Sequence, residues 1–196
     1  MSFLTGTNTE LIYASTAAGT AKNTFTTEIA INDTAAMGVQ AHIPPDFWLP
    51  NNNQIGRGIK ISARGIMSTF TSGTFTFTLR LGAAGNVAST PIVLGSSALT
   101  MTVSQTNVPF FYEGEFFLKT MGAAGGNSTF TGVGWIHSPA IATPFVANLY
   151  GAAASPGTVA TVDTSITNYI NFNVACSVSN AANGITLQSL QVYGLN

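Results

Sequence analysis

Charged residues are scarce in this chain. Asp, Glu, Lys and Arg together make up 7 % of its 196 residues, whereas an ordinary soluble domain has about 25 %. Thr, Ser, Asn and Gly take their place, and the net charge is −1. Because a surface with almost no net charge favours association, the composition indicates a protein covered by copies of itself or by partners. The few basic residues are scattered, which argues against binding to nucleic acid.

Cysteine and long apolar runs are scarce as well. Cys176 is the only cysteine, so no disulfide can form within the chain. The sequence has no run of about 18 apolar residues that could form a membrane-spanning helix. Its first residues, MSFLTGTNTE, lack the basic and apolar regions of a secretory signal. We therefore expect a protein that is made in a cytoplasm and has no membrane partner.

Side chains that carry catalysis or bind metals are few and dispersed. The two histidines, His42 and His137, lie far apart, and no group of potential ligands has the spacing of a metal site. Glu113 and Glu115 share one face of a predicted strand. Such a pair can form a glycosidase site, a solvated strand face, a like-charge pair met by Lys or Arg from a neighbouring strand, or a cation site on a symmetry axis. We expect no catalytic residue, no metal, no cofactor and no enzymatic activity.

Period-two alternation of apolar and polar residues dominates the chain. In residues 73–82, GTFTFTLRLG, Phe and Leu occupy one face, and Thr and Arg the other. In residues 167–179, TNYINFNVACSVS, the apolar face includes Cys176. The pattern predicts strands with one face in the core, and Cys176 is predicted to be an inert core thiol. Since the polar faces carry Thr, Ser and Asn in place of charge, we expect other subunits to cover them.

Further strands are predicted between turn-rich segments, at residues 24–31, 58–68, 99–104, 108–120, 129–137 and 185–193. Alternation slips within the last strand, which predicts a β-bulge near Gln188 or Ser189. No segment has the pattern of an amphipathic helix. The chain is therefore predicted to be all-β, a two-sheet antiparallel sandwich with a jelly roll as the leading topology. An immunoglobulin-like sandwich and a closed barrel remain open.

The first residues differ from the rest of the chain. Residues 1–23 lack an alternating apolar face and are rich in Thr, Ala and Gly. We predict that they form an extended N-terminal arm, which either crosses to a neighbouring subunit or frays. Residues 24–196 are predicted to form a single domain.

Aromatic residues suggest where partners bind. In the segment HIPPDFWLP (42–50) the prolines disfavour a helix. Its two aromatic side chains either anchor a partner subunit or cap one end of their own sandwich. The strand at 108–120 is aromatic on both faces, which is typical of a strand buried on both sides. The predicted interface residues are Phe47, Trp48, Asn51, Asn52, Asn53, Phe111 and Phe117.

One long segment has three recognisable parts: IPPDFWLPNNNQIGRGIKISARGIMSTFTSGTFTFTLRLG (43–82). It begins with a Pro-rich stretch, continues with the strand positions 59–65, which include Ala63 and Gly65, and ends in L-R-L-G. It resembles a stretch of the jelly-roll virion proteins of tailed bacteriophages. The ending ITLQSLQVYGLN (185–196) is similar to their closing strand. The resemblance covers about half of the chain. It implies a capsid decoration (cement) protein, or a tail or fibre head domain, and a trimer.

Three functions follow as hypotheses. The first is a structural virion protein that decorates and stabilises a phage capsid as a homotrimer, with the major capsid protein or other virion proteins as partners. The second is a receptor- or carbohydrate-binding module of a tail or fibre, with a sugar held by Trp135, or by Trp48 beside Asn51–Asn53. The third is a polysaccharide hydrolase that uses Glu113 and Glu115.

Overall fold

The computed structural model describes residues 9–32, 34–48, 57–85, 90–122, 127–142, 146–150 and 161–195. Its strands, in chain order, are β1 (Thr9–Ala14), β2 (Lys22–Asn23), β3 (Ile29–Ala30), β4 (His42–Ile43), β5 (Gly58–Thr69), β6 (Thr74–Gly82), β7 (Ile92–Gly95), β8 (Leu99–Thr100), β9 (Gln105–Thr120), β10 (Thr129–His137), β11 (Val146–Tyr150), β12 (Asn168–Cys176) and β13 (Gly184–Leu195). Two helices of four residues, α1 (Thr34–Met37) and α2 (Pro45–Trp48), precede β5. Within these ranges no helix is long and apolar enough to cross a membrane.

The strands form two antiparallel layers with the topology of a jelly roll. The first layer has the order β1-β13-β5-β9 and is extended by β10; the second has the order β3-β12-β6-β7. These two layers contain eight strands apart from β10, which can be numbered 1 to 8 in chain order: β1, β3, β5, β6, β7, β9, β12 and β13. In this numbering the first layer has the order 1-8-3-6 and the second the order 2-7-4-5, which is the arrangement of two Greek keys. β11 pairs with both β10 and β7 and joins the layers along one side. The predicted two-sheet sandwich is confirmed.

Alternation determines which side chains enter the core. The four apolar side chains of β6, at residues 75–81, have no exposed surface. The ring centroids of Phe77 in β6 and Phe110 in β9 are 6.3 Å apart, and those of Tyr112 in β9 and Phe172 in β12 are 4.5 Å apart. Since β9 belongs to one layer and β6 and β12 to the other, these aromatic pairs close the sandwich. Cys176 is also buried, as predicted.

The outward face of β12 is buried by the chain itself. Asn171 and Asn173 have no exposed surface. Gln40, in the connection from β3 to β4, contacts the Asn171 amide, and Glu28, just before β3, accepts a hydrogen bond from Asn173. From this connection, Asn32 and Gln40 donate hydrogen bonds to the Ile170 carbonyl oxygen at 2.7 and 2.9 Å. Buried amides with hydrogen-bond partners are tolerated where unpaired charges are not. The prediction that other subunits cover this Asn-rich face is therefore wrong for β12.

The described part of the predicted N-terminal arm belongs to the first layer. β1 pairs with β13 from Thr9 opposite Leu195 to Ala14 opposite Gln191. β2 pairs with the beginning of β13. The arm is therefore extended, but from residue 9 onward it lies against its own sheet.

The structure also tests the predictions about local backbone. The predicted bulge is confirmed, because β13 shifts its register against β5 between Leu187 and Ser189. The absence of helix is wrong at α2, which begins at Pro45. Proline is tolerated in a first helical turn, where its missing N–H would have no acceptor. The strands predicted at 24–31 and 99–104 are shorter, only 29–30 and 99–100.

Candidate functional site

Three neighbouring strands of the first layer, β5, β9 and β10, present their outward side chains in ordered rows. Their antiparallel register aligns one row of three side chains across the strands and a second row two residues away. Directly opposed side chains in such a register are close enough to interact. We call these two rows the aromatic patch, which consists of Arg64, Phe111 and His137 in one row and Ser62, Glu113 and Trp135 in the other.

The rings of the aromatic patch are both exposed and held on a rigid floor. Phe111 and Trp135 are each 40 % exposed. The ring of His137 stacks on that of Phe111, with centroids 6.5 Å apart and planes inclined by 23°. Beneath them, Tyr112 is buried in the core, and this burial raises the pKa of its phenol. The aromatic patch therefore offers flat apolar surface that need not reorganise to bind a ligand.

Polar groups converge on these rings. The aromatic patch lines a shallow depression of about 200 Å³. The guanidinium group of Arg64 is exposed and has no hydrogen-bond or ion-pair partner among the described residues. Glu113 supplies carboxylate acceptors beside Trp135, its cross-strand neighbour. A ligand here would meet apolar ring faces together with a planar donor and an anionic acceptor.

The two glutamates predicted on β9 share one cation. The Lys60 ammonium nitrogen lies 3.7 Å from a Glu113 carboxylate oxygen and 3.6 Å from one of Glu115. Both carboxylate side chains are more than a third exposed, at 37 % and 41 %. The hypothesis of a like-charge pair met by a lysine from a neighbouring strand is confirmed. Within the described ranges no three His, Cys, Asp or Glu side chains come together as a metal site.

Phe47 and Trp48 of the predicted interface lie in the core of their own chain. Trp48 has no exposed surface and Phe47 is 7 % exposed. Their rings meet edge to face with centroids 4.7 Å apart, and Trp48 also packs edge to face on Phe130 at 5.1 Å. Of the two alternatives, the structure therefore shows the one in which this segment caps one end of its own sandwich.

The other predicted interface residues fall into two groups. Phe111 and Phe117 lie on the outward face of β9, where Phe111 is exposed and Phe117 half-buried. The ring of Phe117 lies over Gly58, where an added Cβ would be 2.4 Å from it. Asn51, Asn52 and Asn53 lie outside the described residues, so their role stays a prediction.

A second depression, of about 410 Å³, lies where β1, β4 and α2 meet. Arg57 lines it, but its guanidinium carbon is 4.0 Å from the centroid of the Phe47 ring. Its Nη1 also donates to the Phe47 carbonyl oxygen at 2.6 Å. Through these two contacts Arg57 holds the end of α2. Its place at the rim of this depression is therefore explained by packing.

Sequence reasoning named Trp135 and Glu113 separately and missed Arg64. The three come together only through the register between β5, β9 and β10. The signal that could have found Arg64 is its outward position in the alternation of 58–68, where it is one of few charges.

No family model and no curated protein matches the chain. Among solved structures, the CBM2 module of the evolved Dit of Lactobacillus casei BL23 phage J-1 is similar over 97 % of this chain and 97 % of its own. The two share 12 % sequence identity, with a TM-score of 0.34. At these values the likeness supports no conclusion about function.

Proposed function

We propose that this protein is a carbohydrate- or receptor-binding module of a virion tail or fibre, and that the aromatic patch is its binding site. One observation carries the proposal. Trp135 and Phe111 are exposed in adjacent rows of the aromatic patch, and Arg64 and Glu113 line the same depression. An exposed aromatic pair with converging polar groups is typical of ligand sites rather than of an inert sheet surface.

The chemistry of a sugar fits this arrangement. A pyranose ring has faces of C–H bonds, which pack on the flat surface of Trp or Phe, and a rim of hydroxyl groups. The Glu113 carboxylate accepts hydrogen bonds from hydroxyls, and the Arg64 guanidinium donates two in parallel. Both side chains are exposed or half-buried, so binding costs little desolvation. Binding without hydrolysis is supported by Lys60, whose ammonium pairs with both carboxylates that a hydrolase would need and compensates one of their two negative charges.

Replacing Trp135 with Ala tests the proposal. We expect Trp135→Ala to weaken binding of a glycan by about thirtyfold or more, because truncating an aromatic anchor of this kind costs about 2 kcal/mol or more. Its stability should change by no more than about 0.5 kcal/mol, since the side chain is a surface group. Binding is measured on an array of host-cell-wall and capsule glycans and then by calorimetry. Stability is measured by urea unfolding.

Two further variants make the result specific. Trp135→Phe keeps a flat ring and should retain part of the affinity. Ile166→Ala removes a side chain of similar exposure, 39 %, that does not line the depression, and it should bind as the wild type does. The proposal fails if the wild-type protein binds no glycan, or if Trp135→Ala binds as tightly as Ile166→Ala.

A second candidate function is decoration and stabilisation of a capsid as a homotrimer. It is favoured by Leu11, which is 54 % exposed on β1. β1 lies at the edge of the first layer in the described chain, and Glu10 is its one charged residue. Edge strands that do not pair are usually guarded by charge. An edge strand with a single charge and an exposed leucine suits contact with another copy of the chain, whichever virion site the trimer occupies.

A further inference from the structure

The outward face of the first layer has another depression, which the proposed function does not use. It has a volume of about 320 Å³ and lies where β2, β5, β9 and β13 meet. Phe70 at its rim is 63 % exposed. We call this depression the amide cavity, because most of the polar side chains that line it are uncharged. These uncharged polar residues are Asn23, Ser68, Gln105, Thr106, Asn107 and Thr186.

The amide cavity and the aromatic patch lie on the same face of the same two strands. In the aromatic patch, β5 and β9 contribute Arg64 opposite Phe111. In the amide cavity they contribute Ser68 and Asn107, where the Asn107 backbone N–H donates to the Ser68 hydroxyl oxygen at 3.0 Å. Ser68 is four residues beyond Arg64, so the two places are separated by about 13 Å along β5.

Nothing large in the described chain separates them. The outward residues between them are Ile66 and Pro109, which oppose each other across β5 and β9. Ile66 is half-buried and Pro109 exposed. Because Ile66 itself lines the amide cavity, that cavity reaches within one outward position of Arg64, and the surface between the two depressions is apolar.

Both depressions offer the same recognition chemistry. Each combines an exposed aromatic ring with hydrogen-bonding side chains: carboxylate and guanidinium in one, and amides, hydroxyls and Lys22 in the other. Amide side chains both donate and accept, which matches the hydroxyl groups of a neutral sugar. A ligand that repeats one chemical unit along its length would satisfy both.

We propose that the aromatic patch and the amide cavity are two subsites of one groove, which binds an extended chain of linked sugars laid along β5. This inference rests on the proposed function, because the aromatic patch supplies the first subsite. A single sugar fills one subsite, whereas a chain of several linked rings reaches both. Contacts at the second subsite then form without a second loss of translational freedom.

A ladder of oligosaccharides tests the groove. The ladder runs from disaccharide to octasaccharide of the backbone that binds best on the glycan array, and each step is titrated by calorimetry. Affinity should rise with length until both subsites are filled. Phe70→Ala should weaken octasaccharide binding by about tenfold and leave disaccharide binding unchanged. Thr106→Ala, at another exposed lining position, should act in the same direction.

The matched control is Val39→Ala, because Val39 is 72 % exposed and lines neither depression; it should behave as the wild type does at every length. Equal affinities for all lengths, or an octasaccharide affinity that Phe70→Ala leaves unchanged, would overturn the groove and leave the aromatic patch standing. Binding that depends on Phe70 but not on Trp135 would instead overturn the proposed function, and so would the absence of binding at any length.

Discussion

Glu28 shows how single residues accommodate the few charges of this chain. Its two carboxylate oxygens accept hydrogen bonds from Nε and Nη2 of Arg80, each at 2.7 Å. Asn173 donates to it at 3.0 Å, and the Thr78 hydroxyl donates as well. Burial by itself would raise the pKa of Glu28, but the hydrogen bonds from Arg80, Thr78 and Asn173 and the charge of Arg80 outweigh it and lower the pKa. Glu28, which directly precedes β3, thereby links this part of the chain to β6 and β12.

This shift predicts a loss of stability in acid. Because the pKa of Glu28 in the folded protein is below its ordinary value of 4.5, the ionised carboxylate stabilises the fold above that pH. The contribution is lost as the pH falls from about 4.5 through the lowered pKa. We expect Glu28→Gln to lose on the order of 1–3 kcal/mol at pH 7 and to show a shallower acid dependence than the wild type. Urea unfolding across the pH range measures both.

A wild-type and a Glu28→Gln protein that lose stability in parallel between pH 5 and pH 3 would contradict this role, whatever the difference at pH 7. Asp163 serves as the control. Hydrogen bonds from Ser165 lower the pKa of its carboxyl too, but the group is fully exposed. Asp163→Asn should therefore leave the acid profile nearly unchanged.

At the scale of elements, the two tryptophans of this chain have opposite environments. Trp48 ends the short helix α2 and is buried among Phe47, Phe116 and Phe130. Trp135 lies on β10 with its ring exposed. The sequence offered Trp48 as an interface residue or, beside Asn51–Asn53, as a sugar-binding residue, and Trp135 as a sugar-binding residue. Only the docking of α2 onto the end of the sandwich distinguishes them.

We expect Trp48→Ala to destabilise the protein by about 3–5 kcal/mol, because it opens a large cavity at the end of the core. The folded fraction of this variant should bind glycan with the affinity of the wild type. Trp135→Ala should show the reverse pattern. Urea unfolding and calorimetry on the same preparations measure the two quantities. A stable Trp48→Ala protein with weakened binding would reassign this segment to a recognition surface.

The strands themselves were largely predictable. The bounds of β10 coincide with the predicted 129–137, and β6 and β12 lie within the predicted ranges. Period-two alternation is a local property, and so is the slip that marks the bulge in β13. β1 and β7 lack such a pattern, because β1 lies at a sheet edge with little burial and β7 is only four residues long. Their pairing comes from contacts distant in sequence.

At the scale of the whole molecule, the scarcity of charge has two different explanations. On the second layer, the Asn-rich face of β12 is covered by the chain's own connection from β3 to β4. On the first layer the outward face is open in the described chain, and it carries the aromatic patch and the amide cavity. The composition alone does not distinguish these two faces, although only the open face is available to a ligand or partner.

The edge of the first layer is a candidate contact between copies of the chain, and the trimer is the expectation that the sequence resemblance implies. We expect the protein to be a homotrimer in mass photometry, with contacts that include Leu11 on β1. Leu11→Lys should shift the population to monomers, because a charge on an unpaired edge strand opposes association. It should not change glycan affinity. Val39→Lys introduces the same charge at an exposed valine elsewhere on the surface and should remain trimeric. A monomeric wild type at micromolar concentration would contradict the trimer.

The sequence by itself determined that the protein is all-β, which side chains of residues 73–82 and 167–179 enter the core, and where β13 bulges. These properties follow from the side-chain period of a strand, which is local and strict. Only the tertiary structure decided that Arg64, Glu113 and Trp135 share one surface, that Trp48 is in the core, and that β12 is covered on both faces. Those outcomes depend on cross-strand register and on the path of long connections, in which residues far apart in sequence meet. The same scarcity of charge therefore accompanies a face covered by the chain itself on one layer and, on the other, the open face that carries the aromatic patch.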